Sequence, residues 1–506
     1  MVHLRKTNAS TTQCTTSRVF SFSFSSISKF LIRSSIFVIL LSLIYFMQSF
    51  QGAIQTFVAC SNTISNFYNI ESIPLKINTL AKPVVFFAKQ HRRIIFFIII
   101  AALVLPEISV YFHKQSRGAD IFGYIAAGQD VIDNQPLYKN SQPGKNNTWP
   151  PFFSVFISPL AVAKNTLGLA ITKELWYFFN FAALIGAIQI IAYLLYGKRP
   201  PFFKGNTFDF TSDLVFVPVL LVLPALVSNF FMLQINAFIL FLISMGLLMQ
   251  FKKKPLLAGL FFGLAGAIKA YPGLFAIYFL LRKQWKTSFA IMGFGILFTI
   301  SPILLYGFSG YINLMKEWLS ISFSQPLVIG YTTFNNHSLY AFWERLLAHQ
   351  LHLTQPASDL IRLINLSSIL IILVTAFSVI QRSSYRNNNP ITVCIEFSII
   401  CILMILFPPI AWGHYWLLLL PAATSIYYCI RKIPGSATPL VMALVTLWIL
   451  LIQIPYFFSK TALKVFLKSH SSNTIAALTV LAILFILYSK ITSVKQEETY
   501  ANNFNK

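Results

Sequence analysis

The chain alternates long apolar blocks with short polar and basic segments. About twenty apolar residues are needed to cross a bilayer, and Lys and Arg gather in cytoplasmic loops. Each block can therefore be judged by its length and its flanks. Leu31–Phe50 is long enough to span and reads as a retained signal-anchor helix rather than a cleaved peptide. Ile94–Phe112 follows Arg92-Arg93 and leads outward to a polar loop ending in Trp149-Pro150-Pro151. Pro151–Ala163 contains Pro159 and is too short to cross, so it is expected to lie in the outer interface. Leu175–Tyr196 returns, Leu214–Ser228 exits, and Met232–Phe251 returns to Lys252-Lys253-Lys254.

The next block, Leu256–Leu281, lies between that cluster and Arg282-Lys283. Both clusters ask for the cytoplasmic side, yet the block is too short for two spans. It is broken at Lys269-Ala270-Tyr271-Pro272-Gly273, where Pro272 cannot continue a helix and biases Tyr271 toward extended geometry. The pattern predicts a re-entrant helical hairpin with Lys269 near its tip. The first arm rises about 20 Å at 1.5 Å per residue. Non-helical backbone at such depth is tolerated where it lines a cavity.

Thr287–Gly307 then exits to a long outer loop, 308–363. Ile364–Ile380 returns, Ile391–Phe407 exits, Tyr415–Ile430 returns, Pro439–Tyr456 exits and Asn473–Tyr488 returns. Loop 457–472 is placed outside although it carries Lys460, Lys464 and Lys468. The expected fold is an all-α polytopic membrane protein. It has about ten full transmembrane helices, the re-entrant hairpin and an N-terminal helix. Residues 1–91 form an N-terminal extension, 92–490 the membrane domain and 491–506 a cytoplasmic tail.

Composition narrows the class. The chain is 56% hydrophobic and 10% charged, which excludes a soluble domain. Its net charge of +25 lies in short clusters between apolar blocks, as membrane topology requires and nucleic-acid binding does not. The five cysteines, Cys14, Cys60, Cys394, Cys401 and Cys429, form neither a disulfide framework nor a metal spacing. No glycine-rich phosphate loop and no His-x-x-x-His motif occurs, so nothing points to an ATP-driven pump or a zinc site.

Against this background polar residues are informative. Asp120, Asp130 and Asp133 are three of only 14 acidic residues, and all lie in the loop after Ile94–Phe112. The topology puts Asp120, Lys269, Asn335–Ser338 and His414 on one side, with Gln234 and Asn236. An acid, an intramembrane cation, amides and a histidine can furnish a polar reaction chamber. Each also has a plainer reading. Asp120 could cap the helix it begins, and Lys269 could snorkel or neutralise Glu107 or Glu396. His414 could belong to an interfacial belt, and Gln234 and Asn236 could be interhelical glue.

At these residues the sequence resembles the GT-C glycosyltransferases. The specific likeness is to glycosyltransferase family 87 (DUF2029), the polyprenyl-phosphate-mannose-dependent α-mannosyltransferases. The likeness rests on an ordered set over roughly residues 94–430. It comprises Asp120-x-x-x-Tyr124, Gln135-Pro136-Leu137-Tyr138, Trp149-Pro150-Pro151, Gln234-Ile235-Asn236, and Ala258-Gly259 with Ala267-Ile268-Lys269-Ala270-Tyr271-Pro272. Asn336-His337-Ser338 and Trp412-Gly413-His414-Tyr415 complete it. The family commonly has Gln where His337 stands, and often a second histidine where Tyr415 stands.

The resemblance implies a GT-C fold and an inverting hexosyl transfer, most simply of mannose. The donor would be a polyprenyl-phosphate sugar and the acceptor a lipid or glycan. The reaction would take place on the extracytoplasmic side of the cell (inner) membrane, with no metal or other cofactor. In that reading Asp120 is the general base and His414 a second catalytic candidate. Lys269, with Arg345, would hold the carrier phosphate. Tyr124, Tyr138, Gln234, Asn236, Asn336 and His337 would contact substrate. Physical chemistry agrees: a fixed cation at low dielectric stabilises a departing phosphate, and an acceptor hydroxyl needs a base on the opposite face of the sugar. A secondary transporter or a carrier-lipid flippase is the alternative. A transporter fits poorly with the long outer loops and the absence of inverted repeats. A flippase would need Lys269 but not Asp120.

Overall fold

A computed structural model describes residues 119–138, 147–196, 203–204, 207–208, 213–329, 335–350, 357–384, 389–457 and 462–504. The expected N-terminal extension, Leu31–Phe50 and Ile94–Phe112 lie outside the described residues. The described chain is almost wholly helical. Its strands are one two-residue antiparallel pair, β1 (Phe203–Lys204) and β2 (Thr207–Phe208). The helices begin with α1 (Ala119–Ile132), α2 (Pro151–Leu167), α3 (Leu169–Tyr196), α4 (Asp213–Leu221), α5 (Leu223–Phe231) and α6 (Asn236–Phe251). They continue with α7 (Pro255–Ile268), α8 (Leu274–Leu281), α9 (Trp285–Ile300), α10 (Ile303–Ile329) and α11 (Leu339–Glu344). Last come α12 (Ala357–Ser384), α13 (Pro390–Leu406), α14 (Leu420–Lys432), α15 (Pro439–Phe457), α16 (Ala462–Ser469) and α17 (Ser472–Phe504).

The protein is an all-α polytopic membrane protein, with spans less uniform than the hydropathy pattern suggests. Among the described residues four helices are long and apolar enough to cross, namely α3 and parts of α12, α15 and α17; two bent pairs raise this to six. The other expected spans rest on shorter helices or on residues outside the described set. A short helix is tolerable where its surroundings are protein. In α13 every residue from Thr392 to Leu406 is buried, so it need not match the bilayer thickness. By contrast Leu366, Leu370, Ile371 and Val374 of α12 are exposed, as a lipid-facing span requires.

Two sharp bends shape the interior. α5 and α6 meet at 119°, and α9 and α10 at 89°. The first bend is held by Trp176, whose Nε1 donates to the Leu233 carbonyl at 2.8 Å. Leu233 itself lies in the left-handed region, at φ 54°. The second lies at Ser301-Pro302, so the expected Thr287–Gly307 span stops early. The expected loop 308–363 is largely helix, because α10 extends to Ile329 and α11 follows. The expected tail from 491 continues α17 to Phe504.

The hairpin is present as α7, a 3-10 turn at Tyr271–Gly273, and α8. The extended residue at the break is Lys269 (φ −141°, ψ 127°), not Tyr271. Pro272 sits inside the tight turn, which its fixed φ suits. Phe262 of the first arm packs on Phe275 and Phe279 of the second, with ring centroids 4.5 and 5.4 Å apart. The two ends of the hairpin come together: Gln250 Nε2 donates to Gln284 Oε1 at 2.9 Å, and Thr287 Oγ1 donates to Gln250 Oε1 at 2.6 Å. α9 then runs beside α7. At Gly263 a Cβ would stand 2.8 Å from Gly295 N and Phe294 Cβ, so only glycine permits this approach.

One buried carboxylate locks this assembly. Glu396 of α13 pairs with Arg282 at 2.8 Å and accepts hydroxyl hydrogen bonds from Tyr278 (2.7 Å) and Tyr488 (2.5 Å). The end of α8 is thereby tied to α13 and α17. Glu396 is thus the partner of Arg282, not of Lys269.

Candidate active site

Asp120 is the second residue of α1, where the sequence expects an N-terminal acid. Its side chain is half-buried and accepts a hydrogen bond from Gln234 Nε2. Gln234 lies in the bend between α5 and α6. Its Oε1 accepts from the Tyr124 hydroxyl at 2.8 Å and stands 3.5 Å from Lys269 Nζ. One amide thus touches the acid, the tyrosine four residues on, and the hairpin lysine.

Burial pushes the Asp120 carboxyl above its ordinary range, against the opposing effects of the Gln234 hydrogen bond and the Lys269 charge. A helix N-terminus by itself acts the other way, favouring the anion and so a weak base. Desolvation outweighs it and makes Asp120 the stronger base.

Lys269 is buried at the hairpin tip. Its ammonium donates to Asn236 Oδ1 at 2.8 Å and lies 4.7 Å from the Tyr415 ring centroid and 5.9 Å from that of Tyr271. Tyr271 also donates to Asn236 Oδ1, at 3.2 Å. Asn236 is the first residue of α6, and its Nδ2 donates to the His414 carbonyl at 3.4 Å. All partners of the lysine are neutral, and no carboxylate lies within ion-pair distance of it among the described residues. A lysine held this way has no carboxylate already bonded to it, which leaves it open to an incoming anion.

The Asn336 loop forms the adjoining wall. Asn336 Oδ1 accepts from the backbone amides of Ser338 (3.1 Å) and Ala411 (3.0 Å), and its Nδ2 donates to Pro409 O at 3.1 Å. His337 N donates to Ala411 O at 2.8 Å, so this loop and the segment before His414 form one unit. Burial, then Arg345 and Lys468, pull the His337 imidazole down to about 3, which leaves it neutral at physiological pH. His337 Nδ1 and His414 Nε2 are buried and have no hydrogen-bond partner among the described residues. Lys468 Nζ donates to Asn335 Oδ1 at 2.9 Å. Lys468, in α16, therefore lies against the Asn336 loop.

The structure brings Asp120, Tyr124, Gln234, Asn236, Lys269 and His414 into one cluster, with Asn336 and His337 beside it. Two expected members stand back. Arg345 donates to the Asn336 carbonyl (2.8 Å) and to Ser471 Oγ (2.7 Å), bracing the loop rather than facing Lys269. Tyr138 donates to the Trp149 carbonyl at 2.7 Å, and Trp149 packs its ring 4.9 Å from that of Tyr124. Tyr124 is fully buried, edge-on to Trp149, Phe153 and Trp176. Its hydroxyl is linked to Asp120 through Gln234. Tyr271 and Tyr415, the aromatic flanks of Lys269, stand in the sequence motifs but not among the expected substrate contacts. Their signal was adjacency to Lys269 and His414, and an aromatic at a membrane boundary is too common to stand out.

Comparison with known proteins adds the class. The model of glycosyltransferase family 87 matches residues 147–409, more than half of the chain. Together with the helical membrane architecture, this defines a GT-C-type membrane glycosyltransferase. The chain belongs to glycosyltransferase family 87. Gln234, Asn236, Lys269, Asn336, His337 and Arg345 fall within the match, and Asp120 and His414 outside it. No curated protein and no solved structure matches the chain significantly.

Proposed function

We propose that this glycosyltransferase moves a hexose, most simply mannose, from a polyprenyl-phosphate donor to a lipid or glycan acceptor. The proposed setting is the extracytoplasmic side of the cell (inner) membrane, within a catalytic domain spanning 92–490. The acceptor hydroxyl attacks the anomeric carbon as the bond from that carbon to the phosphate oxygen breaks. The configuration inverts, Asp120 takes the hydroxyl proton, and the carrier phosphate leaves as a phosphomonoester. Lys269 meets the charge that develops on it. Asn236 holds Lys269, Tyr124 sets Gln234, and Gln234 aims the carboxylate. Asn336, His337 and His414 form the wall beside the sugar. Arg345 and Tyr138 support that wall and Trp149 from behind.

One observation carries the reading: a buried lysine held only by neutral groups shares the Gln234 amide with a carboxylate whose proton affinity is raised. A flippase has use for the lysine but none for such a base. The test is to incubate membranes containing the protein with labelled polyprenyl-phosphate mannose and to follow label into extractable glycolipid and glycan. Transfer that depends on Asp120 is the expected result. Label that crosses the bilayer still attached to its carrier, with no transfer, would overturn the reading. Transfer from a different hexosyl donor would correct the sugar alone.

A further inference from the structure

The end of the hairpin remote from Lys269 carries two turns that repeat one another. After α6, the amides of Lys252, Lys253 and Lys254 bond back to Leu248, Gln250 and Met249. After α8, the amides of Arg282, Lys283 and Gln284 bond back to Tyr278, Leu280 and Phe279 in the same pattern. Both turns place a lysine in the left-handed region, Lys253 at φ 57° and Lys283 at φ 55°. Glycine or asparagine usually fills that position, because a longer side chain crowds its own backbone there. Gln250 pins the two turns through its bonds to Gln284 and Thr287.

Between the turns lies a cavity of about 760 Å³. Lys253, Lys283 and Lys286 line it, and Phe251, Phe279 and Trp285 add apolar wall. Arg282, paired with Glu396, also borders it. The three lysines are exposed, and among the described residues no carboxylate lines the cavity. Fourteen residues of α7 separate this end from Lys269, about 20 Å at the helical rise. Charge bias of membrane loops accounts for lysines at this end. It does not account for the left-handed backbone at Lys253 and Lys283 or for one cavity shared by two turns.

We infer that this cavity binds the phosphate headgroup of an anionic membrane lipid, separately from the Asp120–Lys269 cluster. The lysines meet the phosphate, and Phe251, Phe279 and Trp285 take the first methylenes of the acyl chains. A free phosphate ion would leave those walls unused. The lipid bridges the two turns and so steadies both ends of the hairpin whose tip carries Lys269.

The test uses the purified full-length protein, delipidated and titrated with phosphatidylglycerol, phosphatidylcholine or inorganic phosphate. Bound lipid is counted by native mass spectrometry and protection is read from Tm. The parent should retain phosphatidylglycerol in preference to phosphatidylcholine and gain Tm from it. Lys253→Gly with Lys283→Gly removes two cations and relieves both positive φ values. It should therefore keep or raise Tm in phosphatidylcholine while phosphatidylglycerol affinity falls roughly thirtyfold. Should that variant fail to fold, Lys286→Gln, an exposed helix substitution, should weaken the same preference several-fold. Equal affinity for the two lipids, or an unchanged preference in a folded variant, would overturn the inference. Protection by inorganic phosphate equal to that by phosphatidylglycerol would reduce the site to a simple ion site and overturn the lipid assignment.

Discussion

Asp120 and Lys269 share one amide, Gln234, and do not form an ion pair. Direct pairing would have neutralised both, leaving a poor base and a cation already spent. The amide keeps them close and separate, with its N–H on the acid and its carbonyl toward the ammonium.

Replacing Asp120 by Asn should lower transfer by about a hundredfold or more, the usual effect of removing a positioned base. Donor binding should persist. The pKa of Asp120 is raised in the folded state, so its protonated form favours folding. That contribution is complete below the unfolded pKa and lost as pH rises through the folded one. At neutral pH the carboxylate therefore costs stability, and the neutral Asn should give a Tm at or above that of the parent. A folded variant with parental transfer rates would return Asp120 to a helix cap.

The rate–pH profile should show an acid limb set by Asp120, above the ordinary carboxylate range. Activity falls as pH drops through that value, because the base becomes protonated. The Gln234 hydrogen bond opposes the rise, so Gln234→Leu should move the limb to still higher pH as well as slow the reaction. A slower variant with an unmoved limb would leave Gln234 a packing role only.

Lys269→Ala should weaken use of the polyprenyl-phosphate donor far more than it weakens folding, because its partners Asn236 and Tyr271 still bond each other. Lys269→Arg should rescue poorly, since a planar guanidinium does not fit between Asn236 and the Tyr415 ring as an ammonium does. Steady-state kinetics with varied donor decide this. Normal donor turnover in the alanine variant is the contrary outcome.

Single cysteines at Lys254 and Lys283 should label from the same side of a sealed membrane, because the hairpin ends meet at Gln250 and Gln284. Labelling from opposite sides would make the segment a kinked span and invert every later loop.

Glu396→Ala leaves Arg282 buried without its counter-charge and should cost about 3–5 kcal/mol of stability. Adding Arg282→Met to Glu396→Leu should recover much of that loss. Thermal unfolding in detergent measures both. The reaction groups are not involved, so residual folded protein should transfer sugar normally.

The linear chain carried the membrane class, the hairpin and most of the polar cluster, for one physical reason. In a chain this apolar each polar residue within a block is costly, so Asp120, Gln234, Asn236 and Lys269 stand out by type and position. Charge clusters too close together for two spans were enough to indicate that Leu256–Leu281 turns back. Tertiary structure alone decided who touches whom. Gln234 as the common partner of Asp120, Tyr124 and Lys269 depends on a 119° bend between α5 and α6 that no local propensity announces. Arg345 and Tyr138 read as substrate contacts because charge and aromaticity look alike on either side of a wall. Their hydrogen bonds set them behind it. The helix dipole that favours an anion at Asp120 is local and legible in the sequence. The desolvation that overrides it arises from tertiary burial of the side chain, which the local sequence does not show.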